Sequence, residues 1–371
     1  MKYFTELNVK AFRGINNLHI KDLRDINIIV GDNNVDKTSI LEAVQLFRDY
    51  SFYNILKVMG NRKRRIQSSL FLEFLNAFPK NRDTLEISVS TFFKNELYAI
   101  KLIGSTEMTL LEMNDLPKYA VPKKNKEMSD ELKEILSNEV LQFKGNLTVT
   151  GQMNNLFHEN SYPILYNPYV RPMDLEKQES IIKMVYLSPI DYMLNDVFNS
   201  IIVNEKYKEI CLKVLQIFDN DIEDLILLKD DKYNMATEYI RSKRNGNLPL
   251  TSYGDGIKKI LSIANGIAQA HDGILLIDEL ENAIHAKYYD DIFNFIIKPV
   301  KQFNVQLFIT THSIEALDGL LSTQNYEQDN EEMISVITLR KDGDTGDTLS
   351  RTLNGKEVKK DREDFGFEVR E

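Results

Sequence analysis

The chain has 371 residues, 43% of them hydrophobic, with 46 Lys+Arg against 56 Asp+Glu and a formal net charge of −10. These values exclude disorder as the main state and a surface that coats nucleic acid as a whole; they suit two or three domains, or one large domain with an insertion. The single cysteine, Cys211, excludes a disulfide framework and a cysteine-rich metal site, while the absence of a basic-then-apolar start or of ~18 successive apolar residues leaves a cytoplasmic protein as the expectation.

In chain order, Leu7, Val9 and Phe12, then Leu18, Ile20 and Leu23, then Ile26 to Val30 predict three short strands. The third ends at Gly31. A loop from Gly31 to Ser39 follows, and Ile40, Leu41, Ala43, Val44, Leu46 and Phe47 recur at helical spacing, giving strand, loop and helix in succession. From residue 51 to 180 the character changes. Two helical stretches flank the basic run Arg62 to Arg65, and alternation over Leu85–Val89 and Leu97–Leu102 predicts peripheral strands. The polar segment Asn114 to Asp130, with Lys123, Lys124 and Lys126, predicts an inserted lid or arm. No heptad pattern persists for three repeats, which excludes a long coiled coil. Core patterning returns at Met184–Ser188 and continues with helices at 204–218 and 255–270, a strand running into Asp278-Glu279, a helix near 286–298 and a strand over Val305–Thr310. The tail reads as a strand at Ile334–Arg340, a hairpin turn over Gly343–Asp347 and a closing helix or strand. Apolar strands alternating with helices imply a buried, mostly parallel sheet.

Four segments carry chemistry. Gly31 to Thr38 fits the spacing of a phosphate-binding loop, with Gly31, Asn33, Asn34, Lys37, Thr38 and Ser39 as candidate nucleotide contacts and Thr38 as a hydroxyl ligand for Mg²⁺. Glycine is expected before the lysine, and Asp36 stands there instead. An unscreened carboxylate ~4 Å from a phosphate in a semi-buried site costs on the order of 4 kcal/mol, up to about three decades of affinity. A polar turn capping a helix is the competing reading of this segment. Next, the run Ile274 to Ile277 ends in Asp278-Glu279, at the strand edge where ligands of open α/β sheets bind. Asp278 suits Mg²⁺, and Glu279 suits activation of a water; the alternative is a strand end that turns polar at the surface. Third, Thr251 to Leu261 places Ser252 and Gly254 at the start of an amphipathic helix, a second anion site or an ordinary capped helix. Fourth, His312 closes another apolar strand.

In order and spacing these segments resemble the ABC-type ATPase head shared by SMC proteins, the recombination mediator RecF and the overcoming-lysogenization-defect (OLD) family. That resemblance implies an α/β fold, a P-loop ABC-type ATPase head with a mixed central sheet, antiparallel N-terminal strands and an inserted helical/β lid. It places the head in residues 1–50 and 181–371 and the peripheral strands and lid in 51–180. It further implies a head-to-tail homodimer holding ATP and Mg²⁺ between Lys37 and Thr38 of one protomer and Ser252 and Gly254 of the other, with His312 sensing the γ-phosphate. Arg13, in Ala11-Phe12-Arg13-Gly14-Ile15, looks like the class's N-terminal arginine that reaches nucleotide; the alternative is a solvated strand-end charge. Ser252-Tyr253-Gly254-Asp255-Gly256 and Ile277 to His285 are most similar to the OLD-type, or AAA15-type, branch, in which Glu281 and His285 match family positions. Only residues 313–371 follow the switch histidine, too few for the TOPRIM nuclease domain of OLD nucleases. A separate effector chain in anti-phage defence is therefore the expected arrangement.

The basic runs Arg62–Arg65 and Arg241-Ser242-Lys243-Arg244 fit a DNA backbone or solvated faces equally well, and the family favours DNA contact. Two other readings stand beside the ATPase. Asp36 motivates a degenerate, non-hydrolysing nucleotide sensor or scaffold, and the head resemblance admits a RecF-like DNA repair ATPase.

Overall fold

A computed structural model describes residues 3–63, 69–80, 84–93, 96–112, 130–153, 156–169, 182–194, 201–230, 235–326, 332–366 and 368–369. Its two large sheets sandwich one helix. The first sheet is antiparallel, in the order β2-β1-β4-β5-β6-β7, built from β1 (Phe4–Phe12), β2 (Ile15–Ile20), β4 (Leu85–Phe93), β5 (Glu96–Leu110), β6 (Glu139–Met153) and β7 (Leu156–Tyr166). Strands from both sides of residue 50 share it, because β1 pairs with β2 along one edge and β4 along the other.

The second sheet runs β15-β14-β3-β13-β12-β8. Here β3 (Ile26–Gly31), β8 (Met184–Leu187), β12 (Ile274–Ile277), β13 (Gln306–Thr310) and β14 (Ile334–Lys341) are parallel, and β15 (Thr348–Asn354) adds an antiparallel edge. Both faces of such a sheet must be covered, and the strands are accordingly apolar on both. Period-two alternation divides their side chains between two cores. Ile274, Leu276 and Ile29 face the layer that holds α1 (Lys37–Gln45), the first sheet, α2 (Phe52–Lys63) and α3 (Leu70–Leu75). Leu275, Ile277, Ile26 and Ile28 face the opposite layer, with α6 (Glu205–Phe218), α7 (Asp255–Gln269), α8 (Tyr289–Gln302) and α9 (Ile314–Ser322).

Aromatic rings fill the first core: Phe74 lies edge-on to Phe52, Phe78, Phe143 and Tyr166, at centroid separations of 5.5, 5.2, 5.0 and 5.3 Å. A short α4 (Asp130–Ser137) precedes β6, α5 (Asp191–Leu194) follows β8, the small sheet of β9 (Ile222–Asp230), β10 (Met235–Ser242) and β11 (Gly246–Pro249) packs Ile222, Leu225 and Ile240 into the second core, and α10 (Gly355–Phe365) follows β15. The helix expected near 286–298 begins as a 3₁₀ turn over Ala286–Tyr288 and continues as α8. Lys123 to Lys126, Arg64 and Arg65 fall outside the described residues, as does most of the expected lid. No helix among the described residues is long and apolar enough to cross a membrane.

Candidate functional site at the sheet edge

The parallel order of the second sheet brings the C-terminal ends of β3, β8, β12 and β13 to one edge, where open α/β sheets place their ligands. Gly31, the last residue of β3, has φ 145°, and a Cβ there would lie 2.4 Å from the Leu339 carbonyl oxygen of β14. Only glycine meets both conditions. The chain then turns through Asn34 (φ 66°) and Asp36 (φ 67°) into α1, whose first turn begins at Lys37. A helix start of this kind leaves N–H groups without intrahelical acceptors, which suits an anion.

Asp36 adopts a left-handed conformation, which Asp tolerates better than most residues. Its carboxylate turns onto Gly14, where a Cβ would lie 2.9 Å from Oδ1. There it accepts hydrogen bonds from the Thr348 hydroxyl at 2.9 Å and the Ser39 hydroxyl at 3.4 Å, and it pairs with the Lys341 ammonium. The uncompensated charge expected from sequence is thus corrected: the Asp36 carboxylate has a cation beside it.

Lys37 is buried, and its ammonium donates to the carbonyls of Gly31 and Asp32, both at 2.6 Å. Burial lowers its pKa from 10.5 to about 8, while Asp32, Glu281, Asp278 and Glu279 pull the other way.

Thr38 and Asp278 meet although they lie on different strand–helix connections. The Thr38 hydroxyl is 3.2 Å from Oδ1 and 3.1 Å from Oδ2 of Asp278. Asp278 also accepts from the Thr310 hydroxyl at 2.7 Å and the Tyr186 hydroxyl at 3.3 Å. Glu279, beyond the end of β12, has φ 51°, and its N–H donates to the Thr310 oxygen at 2.8 Å. His312 follows β13, and its N–H donates to the Glu281 carboxylate at 2.6 Å.

A cavity of about 690 Å³ opens beside these groups. Asn33, Asn34, Asp36, Lys37, Thr38 and Ser39 form one wall, with Tyr186, Ser188, Glu279 and His312 among the rest of its lining. A hydroxyl and a carboxylate this close make a hard oxygen pair of the kind Mg²⁺ takes when substrate phosphates and waters complete its shell. Among the described residues no cluster of three or more His, Cys, Asp or Glu side chains is placed to hold a metal ion.

Other candidates lie apart from the cavity. Arg13 is neither solvated nor among the lining residues. Its guanidinium pairs with Glu42 of α1 at 2.6 Å, with side-chain exposures of 5% and 0%, which corrects the reading of a solvated strand-end charge. Ser252 and Gly254 are exposed and do not line the cavity. Gly254 caps α7 with open space where a Cβ would sit. His285 accepts from the Lys287 N–H at 3.2 Å and so caps the 3₁₀ turn. Arg244 pairs with Asp221 at 2.6 Å, and the Arg241 guanidinium donates to Asn247 at 3.4 Å.

The structure adds three groups near the site that sequence reasoning missed. Thr310 joins Asp278 to the Glu279 backbone, and its signal was a hydroxyl two residues before His312. Tyr186 reaches Asp278 from the end of β8. Lys259 of α7 is 2% exposed, with its ammonium 5.8 Å from the Tyr192 ring centroid and no hydrogen-bond acceptor among the described residues. Burial lowers its pKa from 10.5 to about 8 against the pull of Asp278, Glu281, Glu279 and Asp191. That pull means the lysine sits in the field of the same acids and offsets part of their charge.

Comparison with known proteins agrees with this geometry. An "ATP/GTP phosphatase" of Helicobacter pylori is 24% identical over 344 residues, covering 86% of this chain and 89% of that protein. An uncharacterized protein of Methanocaldococcus jannaschii is 34% identical over 119 residues, 32% of this chain and 98% of its own length. Among solved structures, an SMC head bound to the C-winged helix domain of ScpA aligns over 96% of this chain and 100% of that chain, with a TM-score of 0.50 and 14% identity. That last likeness is one of fold. Residues 3–316 match the family AAA_15, described as AAA ATPase domain, and the chain belongs to that family.

Proposed function

We propose that this protein is an ATP-binding, ATP-hydrolysing dimeric ATPase of the OLD kind that uses nucleotide to set the geometry of a separate effector, such as a nuclease, in anti-phage defence. The observation that carries the nucleotide reading is the Thr38–Asp278 contact at 3.1 Å, which joins the phosphate loop to the acid pair beside a cavity that Lys37, Thr38 and Glu279 line. Lys37 would leave the Gly31 and Asp32 carbonyls for the β- and γ-phosphates. Thr38 and Asp278 would hold Mg²⁺, which would supply charge neutralisation to the phosphates. Within the chain, Glu279 faces the same cavity and serves as the base that orients water, while His312 contacts the terminal phosphate.

The dimer reading rests on an incompleteness. Ser252 and Gly254 stand exposed and away from their own chain's cavity, so they suit completing a second protomer's site. The exposed Arg244 and its neighbours on β10 and the following turn are the segment for DNA contact.

Calorimetric titration with ATP and Mg²⁺ tests the reading, together with turnover by the wild type and Glu279→Gln. Heat of binding in both, with turnover lost in the variant, supports it; no heat with ATP or GTP rejects it. A second reading, the non-hydrolysing sensor, is favoured by Asp36 in the place of the loop's last glycine. Binding without turnover in the wild type would select it. Binding to gapped duplex DNA distinguishes the RecF-like alternative.

A further inference from the structure

The phosphate loop lacks its last glycine, and the neighbouring hairpin carries what replaces it. Strand β14 runs parallel to β3 with Leu339 in register with Gly31, the first residue of the loop. Two residues on, Lys341 leaves the end of β14, and its ammonium pairs with the Asp36 carboxylate at the loop's other end. The same ammonium donates to the Thr348 hydroxyl at 2.7 Å and the Gly14 carbonyl at 3.3 Å. Thr348, buried at the start of β15, donates in turn to Asp36 at 2.9 Å. One carboxylate oxygen thus receives a lysine and a hydroxyl from the two strands of one hairpin. Gly14, between β1 and β2, leaves room for the carboxylate to lie there.

We propose that Lys341 and Thr348 are positioning residues for nucleotide binding: they draw the Asp36 carboxylate out of the phosphate cradle and neutralise it, so that the altered loop still accepts a triphosphate. The inference rests on the nucleotide reading of the cavity. Its physical basis is that a like charge beside a phosphate is costly in a semi-buried site, and an adjacent cation removes most of that cost. Side-chain exposures of 16% for Asp36 and 34% for Lys341 keep solvent screening partial. In a loop with glycine at position 36, Lys341 would have no carboxylate to hold and no bearing on the nucleotide through it.

A double-mutant cycle on the full chain tests this, with the affinity for MgATP read by calorimetry and folding checked by thermal unfolding without nucleotide. Lys341→Met should weaken binding at least tenfold when Asp36 is present and less than twofold in the Asp36→Gly background. Lys341→Arg should restore binding in the first background, and Thr348→Val should give a smaller loss than Lys341→Met. Asp36→Asn, which keeps a side chain that tolerates the left-handed backbone but removes its charge, should also make Lys341→Met silent. Equal effects of Lys341→Met in all backgrounds, or none in any, overturn the proposal. So does a wild type that fails to bind while Asp36→Gly binds. If neither the wild type nor Asp36→Gly binds ATP or GTP, the nucleotide reading itself falls, a result distinct from the others.

Discussion

The two corners that the sequence nominates for nucleotide differ in how they are held. At the first, eight of the nine residues of α1 are buried, and the loop before it is tied to β14, to the strand β12 edge and to the β1–β2 turn. At the second, Ser252 and Gly254 sit exposed on a 3₁₀ turn and a helix cap, with no side-chain cap bond at Gly254. One corner is packed within the chain, where Lys37 has to leave its two carbonyls to meet a phosphate; the other is presented outward. A corner fixed by its own chain loses little freedom when a ligand arrives, whereas an exposed corner gains a role when a partner surface meets it. On the proposed function this gives a site whose affinity is intrinsic and whose turnover depends on assembly, and four measurements sharpen or break it.

The largest effect is expected at Glu279. Replacing it by Gln should lower turnover by roughly 10²–10⁴-fold and leave MgATP affinity within a few-fold, as measured by phosphate release and calorimetry. Comparable losses in both quantities would show that it holds ligand rather than acting on water. Next, Lys37→Ala should weaken nucleotide binding by about a hundredfold, since it removes the one buried cation of the loop's helix start. Retained affinity would place the phosphates elsewhere.

The third concerns pH. Lys37 and Lys259 each titrate near 8 in the folded protein and near 10.5 when unfolded. Between those values the unfolded chain binds more protons, so stability rises with pH. Cys211, raised to about 12 from 9.0, and Tyr3 and Tyr166, raised to about 12 from 10.0, act oppositely: the unfolded chain releases their protons first, and stability falls above those lower values. The nucleotide-free protein should gain about 1–2 kcal/mol between pH 8 and 9 and turn over above about pH 10, read by urea denaturation. Removing Lys259 as Met should shrink the gain by about half, and an unchanged curve would deny its burial. The smallest effect belongs to the exposed corner. Ser252→Arg should change stability by less than ~0.5 kcal/mol, because the residue is exposed, yet abolish ATP-dependent dimerisation in sedimentation. A destabilised monomer would show that this corner is structural.

Much of the fold was legible because the parallel strands are short apolar runs that end in polar residues. Gly31, Asp278 and His312 could be placed at strand ends from that punctuation alone, and the helices at 205–218 and 255–269 follow from apolar spacing. Long-range pairing had no such signal. That β1 would pair with β4, or that Lys341 would find Asp36, depends on the order of strands in each sheet, which periodicity does not encode. Arg13 shows the same limit: neither its pairing with Glu42 nor its burial has a signal in the sequence, since both arise when the first sheet packs over α1. The charge of Asp36 was read correctly in isolation, but its energy depended on a neighbour supplied by the chain's last hairpin.

Thr310 carries a consequence of its own. A hydroxyl has one hydrogen, and here that hydrogen goes to Asp278 while the oxygen receives the Glu279 amide. Replacing that hydroxyl by a methyl, as in Thr310→Val, would leave the amide of a residue already at positive φ without its acceptor and would take one donor from Asp278. The backbone that carries the candidate base and the carboxylate nominated for the cation are thus joined through one oxygen atom.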